Sequence, residues 1–269
     1  MISGVLGAGY ALAVRPVSAE AIRTPDNGLV VGQADIPCEL GPLPAYFARP
    51  EGDGTFPVVL VVHEIFGVHE YIADVCRRLA LEGYLAVAPD LYQRHGDVKQ
   101  IADVRKIIDT VVARVPDAEV LADLDATLAW TKSDGQGEVS RAAVVGFCWG
   151  GRIVWLYAAH NPELRAGAAW YGRLVGAARP ATPEHPIDLA GKRMAPVLGL
   201  YGADDSGIPL DTVEQMRAKL SAERNESEFV VFPAAAHGFH ADYRPSYRPM
   251  AAAEGWRRML SWFREHGAG

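Results

Sequence analysis

The sequence predicts an α/β protein, with a mainly parallel sheet, helices on both faces, and an antiparallel hairpin at its start. Three observations carry this. From Phe56 onward, short apolar runs alternate with amphipathic helical stretches, the signature of repeated β–α units. Those runs are continuous rather than alternating, as strands covered on both faces require. The stretch Leu29 to Pro50 alternates instead and carries turn residues, so it reads as a hairpin.

The elements follow in order. Val58 to Val62, bounded by Pro57 and Gly67, reads as a buried strand. Tyr71 to Tyr84 sets Ile72, Val75, Cys76, Leu79 and Ala80 on one helical face. Tyr84 to Pro89 is the next strand, and helical segments follow over about Val98 to Val115 and Pro116 to Ser133. "AAVVGF" (Ala142 to Phe147) is a strand, with a helix over Trp149 to Ala159. Ala166 to Tyr171 and Ala195 to Gly202 read as strands. Pro209 to Ala222 is a helix with proline at its start. Ser227 to Pro233 is the last strand and Arg248 to His266 the closing helix. Gly172 to Met194, rich in Pro, Gly and Ala, reads as a loop over the end of the sheet where such proteins bind ligands.

A chain of 269 residues, 49% hydrophobic, suits one large domain. We assign residues 26–269 to it. Residues 1–25 read as an apolar arm or signal-peptide remnant: "VLGAGYALAV" is followed by Val17-Ser18-Ala19, but the charged start of an export signal is missing. The cytoplasm is therefore favoured, with the periplasm or export as the alternative if residues 1–19 are such a remnant. No apolar run is long enough to span a membrane. The net charge of -7, with both signs mixed along the chain, argues against a nucleic-acid partner. Cys38, Cys76 and Cys148 are an odd, scattered set, neither a disulfide framework nor a metal knuckle.

The chemistry centres on Gly146-Phe147-Cys148-Trp149-Gly150-Gly151. Between a strand and a helix, G-x-S-x-G forms a nucleophile elbow, and here cysteine stands in place of serine. The helix N-terminus favours a thiolate there, and we expect the side chain to be exposed at the turn. An elbow of this kind is followed in the chain by an acid and then a histidine. Asp204 and Asp205 end one later strand, and His237 follows the last. His237, His240 and Asp242 allow a metal reading, but no further ligand at a typical spacing supports it.

These residues, together with "HEIFG" (His63 to Gly67), "YGADDSGIP" and "HGFH", resemble the dienelactone hydrolases (carboxymethylenebutenolidases) of the α/β-hydrolase superfamily. The resemblance runs from about Val30 to the C-terminus. It implies Cys148 as nucleophile, His237 as base and Asp205 as acid, since the family reads G-x-x-D from Gly202. It further implies that Glu64 holds or deprotonates the thiol, and that the N–H groups of Ile65 and Trp149 form an oxyanion hole. Arg94 matches one arginine that grips the substrate carboxylate in the family. The second is Ala241 here, and Arg244 is the nearby substitute.

The implied activity is that of a carboxylic-ester hydrolase which opens small carboxylate-bearing lactones through a thioester. The alternatives are a broader ester or thioester hydrolase on the same fold, and a non-enzymatic thiol protein that senses redox state. No nucleotide-binding glycine loop is present, so no cofactor is expected. The expected partner is a small-molecule substrate, and the expected state a monomer or small homo-oligomer.

Overall fold

In a computed structural model, residues 21–133 and 136–269 are described. One eight-stranded sheet runs in the order β1-β2-β4-β3-β5-β6-β7-β8. Strands β1 (Leu29–Ile36) and β2 (Leu43–Pro50) form the antiparallel hairpin, in register from Leu29 opposite Pro50 to Ile36 opposite Leu43. β2 also runs antiparallel to β4 (Leu85–Pro89). From β4 onward every pairing is parallel, through β3 (Phe56–Val62), β5 (Gly137–Phe147), β6 (Ala166–Trp170), β7 (Val197–Gly202) and β8 (Glu228–Phe232).

The apolar runs become strands because each is covered twice. β4, β6 and β7 are buried at every residue, and so is β3 from Val58 to Val62. The cover comes from α1 (Glu70–Leu81), α2 (Val104–Thr110), α3 (Asp117–Ser133), α4 (Trp149–His160), α5 (Pro186–Leu189), α6 (Leu210–Ala222) and α7 (Pro249–Glu265).

Three expectations need adjustment. The helix expected over Val98 to Val115 is broken into a 3-10 turn, α2 and a second 3-10 turn. Asp97 and Asp103 cause this: their carboxylates accept from the N–H groups of Lys99 at 3.0 Å and Lys106 at 2.9 Å, each starting a new turn. The Gly172 to Met194 segment carries α5 and is tied down: Asp117 N–H donates to the Ala181 carbonyl at 2.8 Å. The domain also begins before residue 26. Thr24 N–H donates to Asp74 Oδ1 at 2.5 Å, and Arg77 Nε to the Thr24 carbonyl at 3.0 Å. The chain around Thr24 thus packs on α1, while the signal-remnant expectation for residues 1–19 lies outside the described residues.

The strand order locates a crevice. β3 is flanked by β4 on one side and β5 on the other, so the chain reverses its direction of sheet growth between β3 and β5. Ligands of such sheets bind in the crevice at the carboxyl ends of strands at this reversal. Glu64 leaves β3 there, and Cys148 leaves β5.

Candidate active site

The elbow explains its own glycines. Cys148 lies between β5 and α4 with φ 58 and ψ -112, a left-handed conformation that costs a non-glycine residue energy. A Cβ on Gly146 would sit 2.2 Å from the Gly150 carbonyl oxygen, and one on Gly150 2.3 Å from that of Val62. No larger side chain fits without pushing β3, β5 and α4 apart. The Cys148 N–H donates to the Trp170 carbonyl at 3.0 Å, fixing the turn against β6.

Contrary to expectation, the Cys148 side chain is not exposed: the residue has no solvent-accessible surface. Nor is the environment open elsewhere, since Glu64, His237 and Arg244 are buried as well. Cys76 is also buried and Cys38 partly so, and none of the three cysteines is in a disulfide.

His237 Nδ1 lies 2.7 Å from Asp205 Oδ2, with both side chains only 1% exposed. Asp205 Oδ1 accepts from Gly207 N–H at 2.9 Å, so this carboxylate is held at both oxygens. Asp204, by contrast, is exposed. With Nδ1 on Asp205, Nε2 is the ring nitrogen left for other partners. Burial pulls the His237 pKa down, but the charges of Cys148 and Asp205, and hydrogen bonding to both, push it up to about 10.

Glu64 is bound from several sides. Arg244 Nη2 donates to Oε1 at 2.8 Å, the Tyr243 hydroxyl donates to Oε2, and His69 Nε2 is 3.6 Å from Oε2. Burial pushes its carboxyl pKa up, yet Arg244, His69 and Tyr243 together bring it down to about 2. The Ile65 and Trp149 N–H groups donate to no backbone acceptor among the described residues outside the regular helix and strand ladders. Trp149 stacks on His63 with ring centroids 5.4 Å apart and leans on Tyr92 at 4.8 Å.

The two arginines part company. Arg244 belongs to the Glu64 cluster. Arg94 does not: Nη1 and Nη2 grip Asp123 at 2.7 and 3.1 Å, Nη1 reaches Glu119 at 3.2 Å, and Nη2 the Gly41 carbonyl at 3.2 Å. Its guanidinium is thus held by α3 and the hairpin turn. The histidine and aspartate of the metal reading are engaged too. His240 Nδ1 is 2.6 Å from the Tyr71 hydroxyl, and Asp242 Oδ2 accepts from Arg78 Nη2 at 2.6 Å. Among the described residues, no group of three or more His, Cys, Asp or Glu side chains could hold a metal ion. Nor, among them, is any helix long and apolar enough to cross a membrane.

Sequence reasoning missed several groups. Arg152, in the first turn of α4, makes a two-pronged ion pair with Asp117 at 2.6 and 2.7 Å and donates to the Glu184 carbonyl at 2.7 Å. It pins the loop before α5 to the elbow helix. Tyr243 was missed because nothing local marks a tyrosine as a partner for a carboxylate 179 residues away. Tyr171 carried a signal only as the last residue of a strand-like run.

Comparison with known proteins identifies the family. The model of the dienelactone hydrolase family matches residues 43–267. A Methylorubrum extorquens protein named "Putative carboxymethylenebutenolidase" is 53% identical over 99% of this chain and 92% of its own. A Bradyrhizobium protein named "Probable 2-oxo-3-(5-oxofuran-2-ylidene)propanoate lactonase" is 30% identical over 84% of this chain and 90% of its own. The crystal structure of a "Putative Dienelactone Hydrolase" from Klebsiella pneumoniae superposes with a TM-score of 0.86 at 53% identity, covering 88% of this chain and 99% of that one. The chain has the α/β-hydrolase fold and belongs to the dienelactone hydrolase family, whose members hydrolyse esters and lactones.

Proposed function

We propose that this protein opens small carboxylate-bearing lactones with Cys148 as nucleophile, through a thioester. The observation that carries the reading is the buried line Cys148–His237–Asp205, with His237 Nδ1 2.7 Å from Asp205 and its pKa raised by both neighbours. A histidine so placed takes the thiol proton and keeps it as an imidazolium beside the thiolate. Glu64, drawn down to about 2, is too weak a base for that step while Arg244 holds it. Its part is to fix Arg244 and Tyr243.

The thiolate sulfur attacks the lactone carbonyl carbon. The carbonyl oxygen becomes an oxyanion, and the N–H groups of Ile65 and Trp149 are the donors suited to it. One such donor contributes about 2.7–4 kcal/mol to the transition state. The ring C–O bond then breaks, and the leaving oxygen takes the proton from His237. Water activated by His237 cleaves the thioester and returns the thiol.

Arg244 is the guanidinium next to this centre, so a substrate carboxylate would compete with Glu64 for it. The name of the Bradyrhizobium relative describes a carboxylate-bearing lactone, which fits such a contact. The broader ester-hydrolase reading is favoured by one observation, the engagement of Arg94 with Asp123.

The test is hydrolysis of cis- and trans-dienelactone beside p-nitrophenyl acetate, with and without iodoacetamide. Cys148→Ala is expected to be inactive and folded, while Cys38→Ala and Cys76→Ala stay active. An active Cys148→Ala enzyme would overturn the thiol mechanism, and activity on the acetate alone would favour the broader hydrolase.

A further inference from the structure

We infer that the Tyr171 hydroxyl is a catalytic group: it donates a hydrogen bond to the leaving oxygen as the acyl C–O bond breaks. The inference rests on the proposed thiol mechanism and adds a residue to it.

Tyr171 directly follows β6, at the carboxyl edge of the sheet where Cys148 also lies. Its φ is 40, a left-handed conformation that a tyrosine adopts only where its surroundings impose it. They do. Its N–H donates to the Leu200 carbonyl at 2.8 Å, and a Cβ on the next residue, Gly172, would be 2.2 Å from the Gly151 carbonyl carbon. The chain is therefore pressed against the start of the elbow helix, and the Tyr171 ring is turned inward. The residue is fully buried.

The ring stands edge-on to His237, with centroids 5.1 Å apart, and packs on Phe239 at 5.4 Å. The groups whose charges act on its hydroxyl are Glu64, Arg244 and Tyr243, and the Tyr71 hydroxyl faces it. Tyr71, however, lies 2.6 Å from His240 Nδ1. The Tyr171 oxygen is buried and makes no hydrogen bond of good geometry among the described residues. A buried hydroxyl left in that state is costly unless a ligand completes it.

The roles of the neighbouring groups leave one target for the hydroxyl. The carbonyl oxygen of a bound ester is claimed by the N–H donors at Ile65 and Trp149. The leaving oxygen must face His237, which protonates it. The Tyr171 ring is edge-on to His237, and the inference assigns its hydroxyl to that oxygen. The phenol stays protonated, because burial raises its pKa well above the ordinary value. It therefore acts by hydrogen bonding and not by proton transfer. The sulfur–carbon bond forms, the carbon–oxygen bond breaks, the proton comes from His237, and Tyr171 keeps its own.

Tyr171→Phe tests this, since it keeps the ring and removes one oxygen. The enzyme is assayed on two acetates, p-nitrophenyl and ethyl, and on dienelactone. The ethyl ester and the lactone need help for their leaving oxygens, whereas p-nitrophenolate leaves unaided. The variant is expected to lose roughly tenfold or more in kcat/KM on the ethyl ester and the lactone. On the p-nitrophenyl ester it is expected to match wild type, and to be alkylated by iodoacetamide at the wild-type rate. Equal losses on all substrates, or no loss on any, would overturn the inference. Thermal melting of the variant excludes a folding defect. In the wild type, kcat/KM should depend weakly on leaving-group pKa across a series of aryl and alkyl acetates; a steep dependence there also counts against the inference. Failure of the thiol mechanism is read separately, from Cys148→Ala.

Discussion

Arg244 Nη2 donates to Glu64 Oε1 across 2.8 Å, and neither side chain has any exposed surface although the residues are 180 positions apart. A buried pair of this kind is costly to break from one side, because the remaining charge is left without a partner. Arg244→Ala should therefore destabilise the fold by about 3–5 kcal/mol. The pH dependence follows from sign. The Glu64 carboxyl is held at about 2 against an ordinary 4.5, so its contribution is complete above 4.5 and disappears as the pH falls through 2. The stability difference between wild type and variant, measured by urea unfolding, should shrink over that range. An unchanged difference would mean that the pair does not hold Glu64 ionised.

Asp205, not Asp204, is expected to orient His237 in the proposed mechanism. Losing the residue that fixes the imidazole tautomer costs on the order of 10³–10⁴ in kcat. Asp205→Ala should show a loss of that size, while Asp204→Ala, at an exposed position, should stay within roughly a few-fold of wild type. The reverse ranking would displace the acid by one position.

His240 should make the protein acid-sensitive. Burial lowers its pKa from 6.5 to about 3, with Arg78 adding to the effect. Above 6.5 both states are neutral. Below it the unfolded chain binds a proton that the folded chain refuses, so stability falls progressively between 6.5 and 3. Each pH unit in that window removes about 1.4 kcal/mol. His240→Asn keeps an acceptor for Tyr71 and does not titrate. Its unfolding free energy should fall less than that of wild type between neutral pH and pH about 4.5, the difference approaching ~3 kcal/mol.

Arg94 should behave as a structural residue. Its two-pronged grip on Asp123 leaves α3 with an uncompensated, nearly buried carboxylate when it is removed. Arg94→Ala should lower the melting temperature and leave the ratio of kcat/KM for an anionic lactone over a neutral ester unchanged. A selective loss on the anionic substrate would return Arg94 to the carboxylate-binding role that its sequence position implies.

The strands, most helices, the hairpin and the elbow were legible in the sequence because each is written in a short window. Continuous apolarity over Val58 to Val62 requires cover on both faces. Glycines at 146 and 150 around Cys148 require a turn in which backbones touch. The order Cys148, Asp205, His237 carried the candidate triad for the same reason, since each residue ends a recognisable strand. What the sequence could not decide depends on which strands become neighbours. The burial of Cys148 needs β3, β6 and the loops above them in place. The choice of Glu64 for Arg244 and of Asp123 for Arg94, the turn of Tyr171 toward His237, and the lowered pKa of Glu64 all arise from partners distant in the chain. Their energies come from burial and charge at short range, and only the folded sheet brings those charges within reach of one another.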